Sequence, residues 1–150
     1  MASTMTDAER ESALSSARSE KSGYESQKAD KEAKRSSNKE KIERLKKTKK
    51  SLEDNKDTAE KRKKSVKEFA EDADNFVNWV GDKSTKAQKV IAEEVLTSYK
   101  NYIDRVDEVL DAVCNEITRL ENENLKLDGD ILGLVSMINS LINKIETLLN

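Results

Sequence analysis

No proline interrupts this sequence and no histidine occurs in it; one cysteine, four glycines and six aromatic residues are spread over 150 positions. Each shortage excludes something. Without histidine the commonest general acid–base is missing, and there is neither a Gly-rich phosphate loop nor a serine in a nucleophile-elbow context. A single thiol, Cys114, rules out an internal disulfide and offers no metal-ligand spacing. "DGD" at 128–130 does not supply the oxygen ligands of a calcium loop. The chain is therefore read as non-enzymatic, with no cofactor and no metal. So few aromatic residues, with 35% apolar and 39% charged residues, cannot fill a compact core of ordinary size. Typical globular chains hold roughly 45–50% and about 25%. The absence of proline argues for helix over disorder, because disordered polar chains are enriched in it and helix interiors reject it.

What is present is helical periodicity. From Ala92, alternating steps of four and three pass through Leu96, Tyr99, Ile103, Val106, Leu110, Val113, Ile117, Leu120, Asn124, Leu127, Ile131, Leu134, Ile138, Leu141 and Ile145 to Leu148. Only Asn124 among these is polar, and such a stripe is the mark of a coiled-coil helix. An earlier, weaker register joins Leu45, Leu52, Ala59, Val66 and Ala73, with Ile42, Lys49, Lys56, Lys63, Ala70 and Val77 as companions. Lysine stems would lie along that seam. Between the two registers, "NWVGDKST" holds Trp79 and Gly81, and Asp82, Ser84 or Thr85 could cap the following helix. The expected fold is all-α: a long antiparallel two-helix hairpin with coiled-coil-like arms at about 39–77 and 83–150, bent at Trp79-Val80-Gly81. Residues 1–38 are expected to form a polar extension, mobile when the chain is alone.

Charge supports that pairing. Residues 39–67 carry thirteen Lys/Arg against six Asp/Glu, whereas residues 93–121, which a fold at residue 80 sets opposite, carry three against eight. Opposite charges then flank one seam. The basic stretch is thus better explained by its own acidic arm than by nucleic acid, and it lacks an aromatic stacking platform. The apolar-rich stretch at 131–149 contains Lys144 and Glu146, so no membrane insertion is expected. The first residues lack the apolar core of a secretory signal, which points to the cytoplasm.

The arms do not match. Position 117 should face about 43 and position 146 about 14, so the most apolar part of the chain meets its most polar part. Each Leu, Ile or Val buried is worth ~1.5–3 kcal/mol, and another chain is expected to cover this arm. The expected partner-binding residues are Ile117, Leu120, Asn124, Leu127, Ile131, Leu134, Val135, Ile138, Leu141, Ile142, Ile145 and Leu148. Ile alternating with Leu, with Asn124 in an Ile-type position, suits a parallel homodimer. Val135, Ile142 and Leu149 widen the stripe and suit a three- or four-helix bundle with a different partner. Asn124 either fixes register or marks a wet, loosely packed layer. Gly129 and Gly133 soften the helix there, each costing ~1 kcal/mol relative to alanine.

Trp79-Val80-Gly81 between two helical arms resembles the Trp-x-Gly bend of the WXG superfamily, the helical-hairpin substrates of type VII secretion. With the acidic second arm "SYKNYIDRVDEVLDAVCNEITRLENEN", the chain is most similar to the small WXG-like partners of LXG toxins. The resemblance covers about residues 40–150. It implies a bacterial adaptor, or targeting chaperone, that binds a toxin's helical N-terminal domain or a second small hairpin. Such an adaptor presents Trp79 and Gly81 to the secretion apparatus and can be co-secreted with its cargo. One departure bears on export. The Tyr-x-x-x-Asp/Glu half of such signals is absent, since Tyr24, Tyr99 and Tyr102 lead to Lys28, Ile103 and Val106, and Phe69 and Phe76 to Ala73 and Val80. That half would come from the partner. The alternative is a structural coiled-coil protein that homodimerises through its C-terminal arm.

Overall fold

A computed structural model describes residues 5–76 and 82–150. Helix α1 spans Asp7–Glu71, a 3-10 turn follows at Ala73–Phe76, α2 spans Asp82–Lys89, and α3 spans Leu96–Leu149. A π-helical turn at Val90–Val95 joins α2 to α3 without a break. Trp79 and Gly81, the expected bend, lie outside the described residues.

The start of α1 is set by a capping box. The Thr6 backbone N–H and hydroxyl both donate to Glu9 Oε2 at 2.8 Å, and the Glu9 N–H donates back to Thr6 Oγ1 at 3.3 Å. Two N–H groups that no helical carbonyl could reach are thereby satisfied. These bonds hold the Glu9 carboxyl below its ordinary value, the backbone contribution being the larger. Asp7 and Glu9 also place negative charge in the first turn, where the helix dipole favours it. At the other end, Asn75 Nδ2 donates to the Phe69 carbonyl and the Asp74 N–H donates to Asp72 Oδ1. Phe76 is buried, its ring edge-on to Phe69 at 5.6 Å. Side-chain bonds of this kind compete with the helical ladder, and α1 stops at Glu71.

The described chain divides into two compact units, to each of which α1 and α3 contribute. In the first, Met1–Ile42 with Arg119–Asn150, the two helices run antiparallel, as the succession Lys31–Asp130, Arg35–Asp128 and Asn38–Asn124 requires. From α3, Leu120, Leu127, Ile131, Leu134, Ile138 and Leu141 are buried. From α1, the residues turned toward them follow the same three–four spacing through Leu14, Ala17, Lys21, Tyr24, Lys28, Lys31, Arg35 and Asn38 to Ile42. Most are polar. The chain meets a leucine–isoleucine stripe with aliphatic stems whose charged ends remain in water.

Those ends find partners. Arg35 Nη1 lies 2.6 Å from Asp128 Oδ1 and Lys31 Nζ lies 2.9 Å from Asp130 Oδ2, while Lys34 pairs with Glu123. In their midst Asn38, 3% exposed, donates from Nδ2 to Asn124 Oδ1 at 3.1 Å and to Glu123 Oε2 at 3.3 Å. Asn124 is thus a register-fixing residue whose partner lies within the chain. The Lys34 ion pair foremost, then Asn38 and Arg119, hold Glu123 below its ordinary value, and Lys31 does the same for Asp130.

The second unit, Glu43–Thr118, continues the same design. Ile103, Val106 and Ile117 are buried on α3, and Ala59 is buried on α1. Lys56 reaches Asp107 at 2.6 Å, and that bond is the main reason its pKa is raised. These pairs fall one to three residues from the register that a fold at residue 80 requires. All-α architecture with antiparallel pairing of two long helical arms is therefore the observed fold class. Among the described residues, sequence periodicity fails at one place. Ala92 is exposed, while Ile91 and Val95 are half-buried. The Leu96 N–H donates to the Ile91 carbonyl, and this wider turn shifts the inward face by one residue.

Two outcomes test this seam. Asn124→Leu alone leaves the buried Asn38 amide with Glu123 as its one acceptor of the two and should lower unfolding free energy by ~1–3 kcal/mol. Adding Asn38→Leu should recover most of that loss, and urea titration of both variants closes the cycle. The depressed Glu123 and Asp130 carboxyls contribute stability that is fully present above their unfolded values. That stability is lost as pH falls through their folded ones, below the ordinary 4.5 and 3.8. Urea midpoints should accordingly drop between pH ~6 and ~3, and less steeply in Lys31→Met/Lys34→Met.

Candidate interaction surfaces

The twelve expected partner-binding residues separate into two groups. Ile117, Leu120, Asn124, Leu127, Ile131, Leu134, Ile138 and Leu141 are buried by the chain itself. Val135, Ile142, Ile145 and Leu148 are half-buried. The division follows helix geometry. The first group faces α1 squarely, whereas Val135 and Ile142 sit on the shoulder of the stripe, beyond the reach of the stems that cover its centre. Among the described residues, the apolar side chains of α1 that are buried or half-buried in the stretch opposite the end of α3 are Ala13, Leu14 and Ala17, and cover thins there. A shallow hollow remains between Arg18 and Lys21 of α1 and Ile142, Ile145 and Glu146 of α3.

Further apolar side chains lie in the open: Leu125, Leu132, Met137 and Leu149 are between 48% and 70% exposed. By length and composition alone this helix could cross a membrane, with an 18-residue window of mean hydropathy 1.2 that is only 22% buried. Lys144 and Glu146 near its end weigh against insertion. Much of the apolar surface of α3 is therefore left without a partner among the described residues, and exposed apolar patches mark contact sites.

In the second unit a cavity of about 490 Å³ opens between the helices, lined by Asn55, Thr58, Ala59 and Arg62 from one and Val95, Ser98, Tyr99 and Tyr102 from the other. Its origin is local. Ala59 presents only a methyl group to the seam, and the π-helical turn ends at Val95, where the helical register changes. Tyr99 is half-buried and Tyr102 is 47% exposed. Two phenol rings and a guanidinium beside a small-residue floor can receive a projecting side chain. Periodicity scanning missed this hollow, because Ala59 and Tyr99 both satisfy the stripe; the signal available was the pairing of a small residue with a gap in register. Cys114 is free and half-buried, beside the stripe rather than in it.

No curated protein and no solved structure matched the chain in comparison. A family model described as YwqH-like does match, over residues 19–146. The match begins within α1, well before the arm that hydrophobic periodicity alone picks out, and ends within the last turns of α3. It takes in both the polar cover and the apolar stripe, and on this evidence the chain belongs to the YwqH-like family.

Proposed function

We propose that this chain is a non-enzymatic helical adaptor that binds the helical N-terminal domain of a type VII-secreted, LXG-type toxin and helps present it for export. One observation carries the reading: α3 keeps an incompletely covered apolar shoulder at Val135, Ile142, Ile145 and Leu148. A shoulder of this kind accepts one or two further helices and completes a bundle. A toxin's helical domain, or a second small hairpin, supplies them. Family membership and the Trp79-x-Gly81 resemblance are compatible with this role. In it the chain acts in the bacterial cytoplasm, binds no nucleic acid, does not insert into a membrane, and offers Trp79 and Gly81 to the secretion apparatus while the partner contributes the acidic half of the signal.

Co-expression with the helical N-terminal domain of an LXG toxin from the same cells should yield a stoichiometric complex. Val135→Glu with Ile142→Glu buries two charges at the contact and should weaken binding about a hundredfold or more, ~2.7 kcal/mol, while circular dichroism of the free chain stays helical. Trp79→Ala should leave that affinity within about threefold (~0.7 kcal/mol) and abolish export. Unchanged toxin binding in the Val135/Ile142 variant would remove the shoulder as the site.

A further inference from the structure

The two flanks of the seam in the second unit are built differently. On one, Lys56 reaches Asp107 at 2.6 Å, and Lys63, Lys100 and Asp104 border the hollow beside that pair. On the other lies the cavity of about 490 Å³, whose lining holds a single charged side chain, Arg62. Among the described residues no carboxylate pairs with that guanidinium. Its neighbours one turn away on the same helix, Thr58, Ala59, Ser65 and Val66, are uncharged. Acids on α3 receive Lys31, Lys34, Arg35 and Lys56; Arg62 is left with none.

Apolar residues continue past the cavity at heptad spacing. Tyr102 and Val109, seven residues apart on α3, are 47% and 48% exposed, and Phe69, seven residues after Arg62, is 48% exposed. Val95, seven before Tyr102, lines the cavity. Residues so spaced share one side of a helix in a coiled-coil pair. An apolar position beside the two that make the seam is what a third helix packs against. The strip ends at Glu116, the next residue in that spacing, and Val135 and Ile142 hold a different heptad position. An elongated strip with a hollow in it suits a helix better than a small molecule. Small-molecule sites enclose most of their ligand, whereas Asn55, Thr58, Arg62, Ser98 and Tyr102 at this rim are exposed.

We propose that this strip docks a third helix, supplied by a partner protein. That helix seats a leucine or aromatic side chain in the cavity and sets an aspartate or glutamate, one turn away, on Arg62. The carboxylate makes the charge-assisted bond that the chain itself does not supply, and tyrosine and arginine are the residue types enriched where binding energy concentrates. The shoulder at Val135 and Ile142 takes no part, so the strip does not depend on the toxin reading.

The probe is a phage-displayed library of single helices randomised along one face and selected on the full-length chain. Recovered helices should carry Asp or Glu one turn from Leu, Phe or Trp. In anisotropy titrations they should lose at least about tenfold in affinity, ~1.4 kcal/mol, against Ala59→Leu, which fills the cavity. Arg62→Gln, at an exposed position, should cost as much and leaves the test open if leucine at 59 perturbs the helix pair. Replacing the helix's own carboxylate by its amide should weaken binding to the wild-type chain similarly and add nothing against Arg62→Gln. A selection that yields no acidic helix, or helices that bind both variants as tightly as the wild type, overturns the proposal. So do helices lost on Val135→Glu/Ile142→Glu but kept on Ala59→Leu, which would belong to the shoulder. Failure of a toxin domain to bind would change none of these results.

Discussion

Everything in this protein follows from how α3's apolar stripe is covered. A ladder of Leu and Ile cannot be left in water, yet the helix set against it in the first unit is largely lysine, arginine and small residues. The hydrophobic content of α1 comes from the stems of charged side chains, and the charges at their tips must then be placed. Asp128, Asp130 and Glu123 on α3 receive them. Ion pairs so exposed contribute little individually, about 0–1 kcal/mol. Their main effect is on alignment: they favour one register among several that a plain stripe would tolerate. Asn38 and Asn124 reinforce that choice from inside the seam, since a slip by one turn would bury both amides unpaired.

A cover built from stems is narrow. It reaches the centre of the stripe and leaves the shoulder at Val135 and Ile142 half in solvent, with Leu132 and Leu125 fully outside it. Association is thus a consequence of the same economy that folds the hairpin. A wider apolar α1 would close the shoulder and leave nothing for another helix to bind.

The second unit shows what a local departure from regular helix can add. The π-helical turn, Val90–Val95, ends at Val95, and Val95 lines one end of a hollow that Ala59, two tyrosines and Arg62 also border. An ordinary α-helical turn would keep the α3 register beside Ala59, and a leucine at 59 would fill the gap.

By itself the sequence determined the class of fold and the sense of pairing. The three–four spacing of α3 is expressed in apolar residues, and the opposed charges of 39–67 and 93–121 favour the antiparallel arrangement; both properties are local and can be counted. The register also came within a few residues, because it depends only on where two long arms meet. Of the interaction residues, the sequence located the stripe but not its division into buried centre and open shoulder. Tertiary structure alone decided that division, because it depends on which α1 residue stands opposite. It alone showed that residues 14–38 supply the facing seam, since their inward positions are Lys, Arg and Asn, which a hydrophobic pattern does not register. It also gave Asn124 its partner, and it moved the inward face from Ala92 to Ile91 through one turn of π-helix. Period and charge are properties of a single chain segment; cover, register and recess belong to pairs of segments, and exist only once the two are packed.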